Sequence, residues 1–247
     1  MIASILHQKI GAIMFFKKKE PVITFVPFLS FHLSSQPVLA SQVVPEWYKK
    51  TASYIPEEKK LTSERTIKRC MPVFDAMSAG YIISTPCDIS VTQIDGEPQY
   101  EPSMRDTIQY HPQKQATFHP KAHPFQFPKF INAWGIKTPK GYSCLFIAPM
   151  HNENPWFECL AGLVDTDRYD APVNFPFVLK DPKFEGIIPA GTPMIQVIPF
   201  KREDWGYGIG NDKDVLNAQE TDKELSIVFF DRYKRLFRDK KIWNRKL

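Results

Sequence analysis

Apolar and β-branched runs of strand length, each stopped by Pro, Gly, Asp or Asn, recur along this chain and crowd together between Trp134 and Arg202. That stretch holds WGIKTPKGYSCLFIAPM, then LAGLVDTDRYDAPVNFPFVL, then FEGIIPAGTPMIQVIPFKR. Runs this short, bounded by turn formers, predict strands rather than helices. Pro139-Lys140-Gly141 and Pro189-Ala190-Gly191 repeat one device, a turn that feeds straight into a strand. Pro presets φ there, and Gly accepts a conformation that other residues resist. Upstream, Val22–Phe28 reads as a strand and Tyr81-Ile82-Ile83 as a buried one. Ile89–Ile94 opens on apolar/polar alternation and reads as half-exposed.

Two segments carry helical spacing instead. Ser63 can cap a helix whose apolar positions are Ile67, Cys70, Met71, Phe74 and Met77, with Gly80 as its stop. Pro72 either kinks that helix or starts a second one at its first turn. This element, about 63–79, is expected to cover one face of the sheet. Between Glu224 and Trp243, Leu225, Phe229, Tyr233, Leu236 and Phe237 recur with basic residues between them, predicting a basic amphipathic C-terminal helix. Its aromatic spacing favours docking on the domain or on a partner protein over lying on a membrane.

The rest of the chain is punctuated rather than patterned. Asp95–Lys121 is broken by Gly96, Pro98, Pro102, Pro112 and Pro120, and reads as a long loop or an excursion that pairs at its ends. His119 and His123 would share a helical face, but Pro120 and Pro124 deny them the helix, so they read as loop histidines. Residues 1–20 read as a flexible or optional extension, with Met14 as a second possible start. Residues 21–222 form the expected single β-rich domain, and 223–247 the C-terminal helix. Pro21–Val44 carries no formal charge, yet Pro21, Pro27 and Pro37 argue against a spanning helix, so no membrane is expected.

Composition sharpens the picture at three points. Twenty-two prolines against eleven glycines disfavour long helices and parallel βαβ repeats, while nineteen phenylalanines supply a sheet interior. The formal charge of +5 is concentrated in residues 231–247, which hold eight Lys/Arg and two Asp, so the body is near neutral and nucleic acid is not an expected partner. Cys70, Cys87, Cys144 and Cys159 lack any close pairing, which fits reduced thiols in an intracellular protein and no zinc site. Walker A, GxSxG, HExxH and glycine-rich dinucleotide motifs are missing from the sequence.

The order Trp134-x-Ile136-Lys137-Thr138-Pro139-x-Gly141-Tyr142, then Gly162-Leu163-Val164-Asp165-Thr166-Asp167, then Gly191-Thr192-Pro193 before Gln196-Val197-Ile198-Pro199-Phe200 resembles an uncharacterised, domain-of-unknown-function family of bacterial and tailed-phage proteins. The likeness runs from about Cys70 to Arg202. It implies a viral or bacterial origin, placing the protein in the cytoplasm of a bacterium or infected host, or in a virion. More distantly, Gly141-Tyr142, Gly162–Asp167 and Gly191–Gln196 resemble, in order and separation, motifs of the dUTPase and dCTP-deaminase group, which has a β-clip fold. That resemblance would make Asp165 the carboxylate that orients the attacking water. The departures are that Ala148–His151 lacks the Arg and Ser of the phosphate grip, and that Arg168 intervenes before Tyr169. The expected fold class is therefore mainly β, a β-clip or jelly-roll-like sheet core with one covering helix and the C-terminal helix.

Asp165 and Asp167, two residues apart at a strand end, face one side. They read either as a water-orienting base with a metal- or phosphate-side partner, or as turn-forming aspartates. His151 and Asn152 follow a buried-looking strand and could line the same pocket. Gln196, in an apolar strand, needs partners if buried, and a backbone clamp is one use for it. Gly206, Gly208 and Gly210 alternate with Trp205, Tyr207 and Ile209, as an anion-binding nest or as a loop. The expected function is a partner- or small-ligand-binding or structural module without strong catalytic activity or a cofactor. The alternative is a dUTPase-like, Mg²⁺-dependent nucleotide pyrophosphohydrolase with Asp165 catalytic and Asp167 and Tyr169 on the ligand. Trp134, Phe146, Phe175 and Phe177 offer more aromatic surface than one small sheet needs. Together with the β-clip analogy they predict a homo-oligomer, most simply a trimer.

Overall fold

The structure, a computed structural model, describes residues 20–55, 65–112, 127–152, 154–169, 171–226 and 233–243. The N-terminal extension up to residue 19, Ser63, the His119/His123 pair and Phe229 lie outside the described residues. The chain is mainly β, with strands numbered in chain order and every pairing antiparallel. A five-stranded sheet runs β11 (Gly162–Val164), β9 (Tyr142–Ile147), β14 (Pro193–Lys201), β3 (Tyr81–Ser84), β2 (Val38–Leu39). A four-stranded sheet runs β10 (Phe157–Cys159), β12 (Phe175–Leu179), β7 (Phe127–Phe130), β6 (Ile108–His111). A three-stranded sheet runs β13 (Gly186–Ile188), β4 (Ile89–Ile94), β5 (Glu97–Pro102), and β1 (Thr24–Pro27) pairs with β8 (Trp134–Lys137).

One apolar cluster joins all four sheets. Ile83, Phe146 and Val197 come from the five-stranded sheet, Phe130, Phe157 and Phe177 from the four-stranded one, Ile89 and Ile188 from the three-stranded one, and Ile136 from β8. Phe130 and Phe177 stack with centroids 4.0 Å apart, and Phe157 packs against both. Trp134, Phe146, Phe175 and Phe177 are thus buried in the monomer's own core, so they give no reason to expect a subunit interface. The surplus disappears because several stacked sheets, not one small sheet, need filling.

The two Pro-x-Gly turns form as their residues dictate. Gly141 takes φ +87° and Gly191 +79°, and each turn closes on its proline, with Tyr142 N–H donating to Pro139 O and Thr192 N–H to Pro189 O. The region after Ile94, read as a long loop or an excursion that pairs at its ends, opens with a hairpin. Ile94 pairs with Glu97 across a two-residue turn in which Asp95 (φ 53°) and Gly96 (φ 78°) are both left-handed. Asp-Gly is the residue pair that such a turn favours. Pro98 and Pro102 are tolerated because β5 lies at a sheet edge, where a proline forfeits no ladder hydrogen bond it needs.

The covering helix is shorter and split. A 3-10 turn at Ile67–Arg69 is capped by Thr66, and α2 (Met71–Met77) starts afresh with Pro72 in its first turn. A five-residue helix, α1 (Glu46–Lys50), precedes them. A helix does lie near the C-terminus, starting earlier than expected, and residues 227–232 of the expected span lie outside the described residues. The helix there is α3 (Asp212–Ser226), and Tyr233–Phe237 forms only one wide turn. Tyr233, Leu236 and Phe237 stay partly exposed, whereas the tail docks through other groups. Arg238 grips Asp75 of α2 through Nε and Nη2 (2.5–3.1 Å), and Tyr81 Oη donates to Trp243 O at 2.7 Å. The Arg238 guanidinium holds the Asp75 carboxyl below its usual range. Among the described residues no helix is long and apolar enough to cross a membrane.

Candidate functional site

The end of the five-stranded sheet where β9 begins gathers the charged groups. β11 and β9 pair Val164 with Cys144, which sets Asp165 beside Ser143. The chain then turns, with the N–H groups of Arg168 and Tyr169 both donating to Asp165 O at 2.9 Å. This turn sends Asp165 and Asp167 the same way, as their spacing predicts, and toward a group the sequence reading did not single out, Arg202. Arg202 follows directly on β14, which lies against β9.

Arg202 closes both carboxylates into a latch. Its Nη1 donates to Asp167 Oδ1, Ser143 Oγ and Tyr142 O, each at 2.9 Å, and its Nη2 lies 2.5 Å from Asp167 Oδ2. Gly141 N–H adds a 2.7 Å bond to Asp167 Oδ2. Asp165 Oδ1 accepts from Ser143 Oγ at 2.7 Å and sits 3.1 Å from Arg202 Nη1. Beneath them Thr138 and Thr166 share a 2.7 Å hydroxyl contact, and the Thr166 hydroxyl donates to Cys144 Sγ. Burial pushes the Cys144 thiol up to about 11, so it is not a nucleophile at neutral pH.

The two carboxylates are not equivalent. The Asp167 side chain is 2% exposed and that of Asp165 45%. The Arg202 hydrogen bonds, then the Gly141 N–H, pull Asp167 down to about 2. A carboxylate whose folded pKa is depressed stabilises the fold fully above its unfolded value and loses that contribution as pH falls through the folded value. The latch therefore gives its full stabilisation above about pH 4 and loses it between about pH 4 and 2. Arg202→Met is expected to lower the melting temperature at pH 7, with the gap to the parent narrowing across that acid window. A gap of constant size from pH 7 to pH 2 would show that Arg202 acts through packing alone.

The remaining candidate residues lie apart. His151 comes four residues after Ile147, the opposite end of β9. That end is itself about four residues or roughly 13 Å from Ser143 along the strand, so His151 does not share a pocket with Asp165. It is exposed at φ 58°, and its carbonyl accepts from Trp47 Nε1 at 2.9 Å. Gln196 is fully buried in β14 and all three of its hydrogen bonds go to backbone, the clamp its setting requires. Gly206, Gly208 and Gly210 lie in an exposed segment, and none has the positive φ that an alternating nest demands. Tyr169 is half exposed beside Asp165. Among the described residues no cluster of three His, Cys, Asp or Glu could hold a metal.

A cavity of about 850 Å³ opens next to the latch, sharing with it the Thr138–Tyr142 turn. Val22 and Ile23 form one wall, Tyr81 and Tyr142 a second, and Lys240 and Trp243 of the docked tail close it. Its size falls within the range of small-molecule pockets, and its walls mix aromatic and aliphatic side chains with Glu20, Thr138 and Lys240. Sequence reasoning had no route to it, because its walls come from stretches more than two hundred residues apart. Comparisons of the chain with protein-family models and with curated proteins find no match.

Proposed function

We propose that the chain is a ligand-binding module without strong catalytic activity, of the bacterial or phage kind its sequence resembles, and that the cavity between Tyr81, Tyr142 and Trp243 is its binding site. The observation that carries this reading is the contrast between that cavity and the neighbouring carboxylates. Asp167 is committed to Arg202 and Gly141, and one oxygen of Asp165 to Ser143 and Arg202, whereas the cavity offers three aromatic rings beside a lysine and a glutamate. Such walls fit an apolar or aromatic molecule with one negative group seated by Lys240 and, since Glu20 also lines the cavity, any positive group turned toward Glu20.

A second reading has one observation in its favour. The Asp165 side chain is 45% exposed and held in place by Ser143, so it could orient a water as a dUTPase-like, Mg²⁺-dependent pyrophosphohydrolase requires. One set of measurements separates the two. The fluorescent apolar anion anilinonaphthalene sulfonate is expected to bind saturably, once per chain, with Trp243→Ala weakening it by about tenfold. dUTP and dCTP with Mg²⁺ are expected to release no more pyrophosphate from the parent than from Asp165→Asn. Turnover by the parent that Asp165→Asn cuts by ~10²–10⁴-fold would transfer the assignment to the enzyme. Probe binding unaffected by Trp243→Ala would remove the cavity from the proposal.

A further inference from the structure

The stretch after Arg202 adds nothing to the core of the chain that carries it. Every described side chain from Glu203 to Leu225 is exposed. Trp205, Tyr207 and Ile209 are 86%, 101% and 98% exposed, alternating with three glycines that cannot shield them. The helix that follows, α3, is well started. Asn211 Oδ1 accepts from the N–H groups of Lys213 and Asp214, and Asp214 Oδ2 accepts from Asn211 N–H, a reciprocal cap. It carries five acidic residues against two lysines, with Val215 and Leu216 in water. A formed helix and three large apolar side chains held in solvent mark a surface made to be covered.

The complementary surface is on the same chain. Residues 233–243 hold five Lys/Arg against one Asp, and are fixed to the body by the Arg238–Asp75 grip and the Tyr81–Trp243 bond. That anchoring presents Lys234, Arg235, Leu236 and Phe237 outward, with Leu236 63% exposed. Within one copy the side chains of Asp212–Leu225 are exposed, not buried against this basic, apolar turn.

We propose that the arm 203–225 docks on a second copy of this chain, its acidic helix against the partner's basic turn, in a reciprocal exchange. Two tryptophans and two tyrosines would each bury about 150–250 Å², together roughly half of a standard interface of about 1,600 Å². Opposite charge on helix and turn sets the register and excludes a helix-to-helix pairing of two acidic surfaces. A reciprocal contact closes on two copies, not on the three that the β-clip resemblance implies.

The test uses the full chain and two variants with exposed changes, Lys234→Glu/Arg235→Glu and Glu220→Lys/Asp222→Lys. The parent is expected to have the mass of two chains by light scattering at roughly 100 μM. Each variant alone, with circular dichroism unchanged, is expected to dissociate at least about tenfold more readily. Mixed in equal amounts they should recover the two-chain mass, since each then meets an opposite charge. A monomeric parent, a parent of three or more chains, variants that keep their mass, or a mixture that stays monomeric overturns the exchange. An arm that meets some other protein would leave the parent monomeric and so falls under the first of these.

Discussion

Replacing Gly80 by alanine is expected to be among the most damaging single-methyl changes available in this chain. Gly80 joins α2 to β3 and takes φ +66°, where an L side chain is strained by about 1–2 kcal/mol. Strain is the smaller part. A Cβ at this position would lie 2.0 Å from Val197 O and 3.0 Å from Val197 C, so the methyl would displace the backbone of β14 itself. β14 is the strand that pairs with both β3 and β9, and it cannot move without breaking one ladder. The expected loss is about 4 kcal/mol or more, in the range reserved for overpacking and special backbone positions. Set against a typical total of about 5–15 kcal/mol, that is a fall in melting temperature of roughly 10 °C. Gly141→Ala is the control, because φ is +87° there but nothing lies within 4 Å of the added carbon. It should lose only the strain, about 1–2 kcal/mol. Equal losses at the two positions in thermal unfolding would show that β14 yields to the methyl.

Gly80 also illustrates what the sequence does and does not reveal. As a residue that stops a helix it is legible, and α2 does end three residues before it. That it is also the point where the β14 backbone crosses within contact distance depends on a pairing with residues more than a hundred positions away, which no local pattern encodes. The same division holds elsewhere. Strands with clear runs and turn formers, Thr24–Pro27, Tyr81–Ser84 and Ile89–Ile94, lie where their patterns put them. The Asp95-Gly96 hairpin was concealed by the prolines around it, although the dipeptide itself is a strong turn signal. Helix α3 was concealed for the opposite reason. It is mostly polar, with Val215, Leu216 and Leu225 too few to make an apolar stripe, and its clearest sequence mark is the Asn211/Asp214 cap. The aromatics at helical spacing further on drew the prediction past it to 224–243.

At the candidate site, the pairing of Asp165 and Asp167 was legible from their spacing, but their partner was not. Two adjacent carboxylates facing one way demand a cation, and Arg202, at the end of a strand whose neighbours are fixed only by sheet order, supplies it. The consequence is chemical. A pair that could have been a base and a metal-side ligand becomes one latch carboxylate and one half-exposed carboxylate. The cavity beside them exists only because the tail returns to Tyr81, an encounter of residues 162 positions apart.

The second large effect is expected at Gln196, and its size follows from which groups are left without partners. Oε1 accepts from Met150 N–H at 2.9 Å, while Nε2 donates to Ala79 O at 2.7 Å and Ala76 O at 2.9 Å. Ala76 O also receives the Ala79 N–H, so it keeps a partner when the side chain is removed. Met150 N–H and Ala79 O would each lose the bond described here, at about 1–3 kcal/mol per buried group. Gln196→Ala adds a cavity on top, and a total of about 3–5 kcal/mol is expected. Gln196→Leu fills most of that space and should recover the cavity share only. The sharper test is Gln196→Glu. Its carboxyl would be buried facing carbonyl oxygens, which favour the protonated form and raise its pKa in the folded state. A carboxyl with a raised folded pKa costs nothing below its unfolded value, and the cost grows as pH rises from about 4.3 toward the folded pKa. The Glu variant should therefore melt close to the parent near pH 4 and fall progressively behind it toward pH 8. A variant that tracks the parent across that range would mean that Ala76 and Ala79 do not depend on the amide, and that the α2 end is held to the sheet by packing alone.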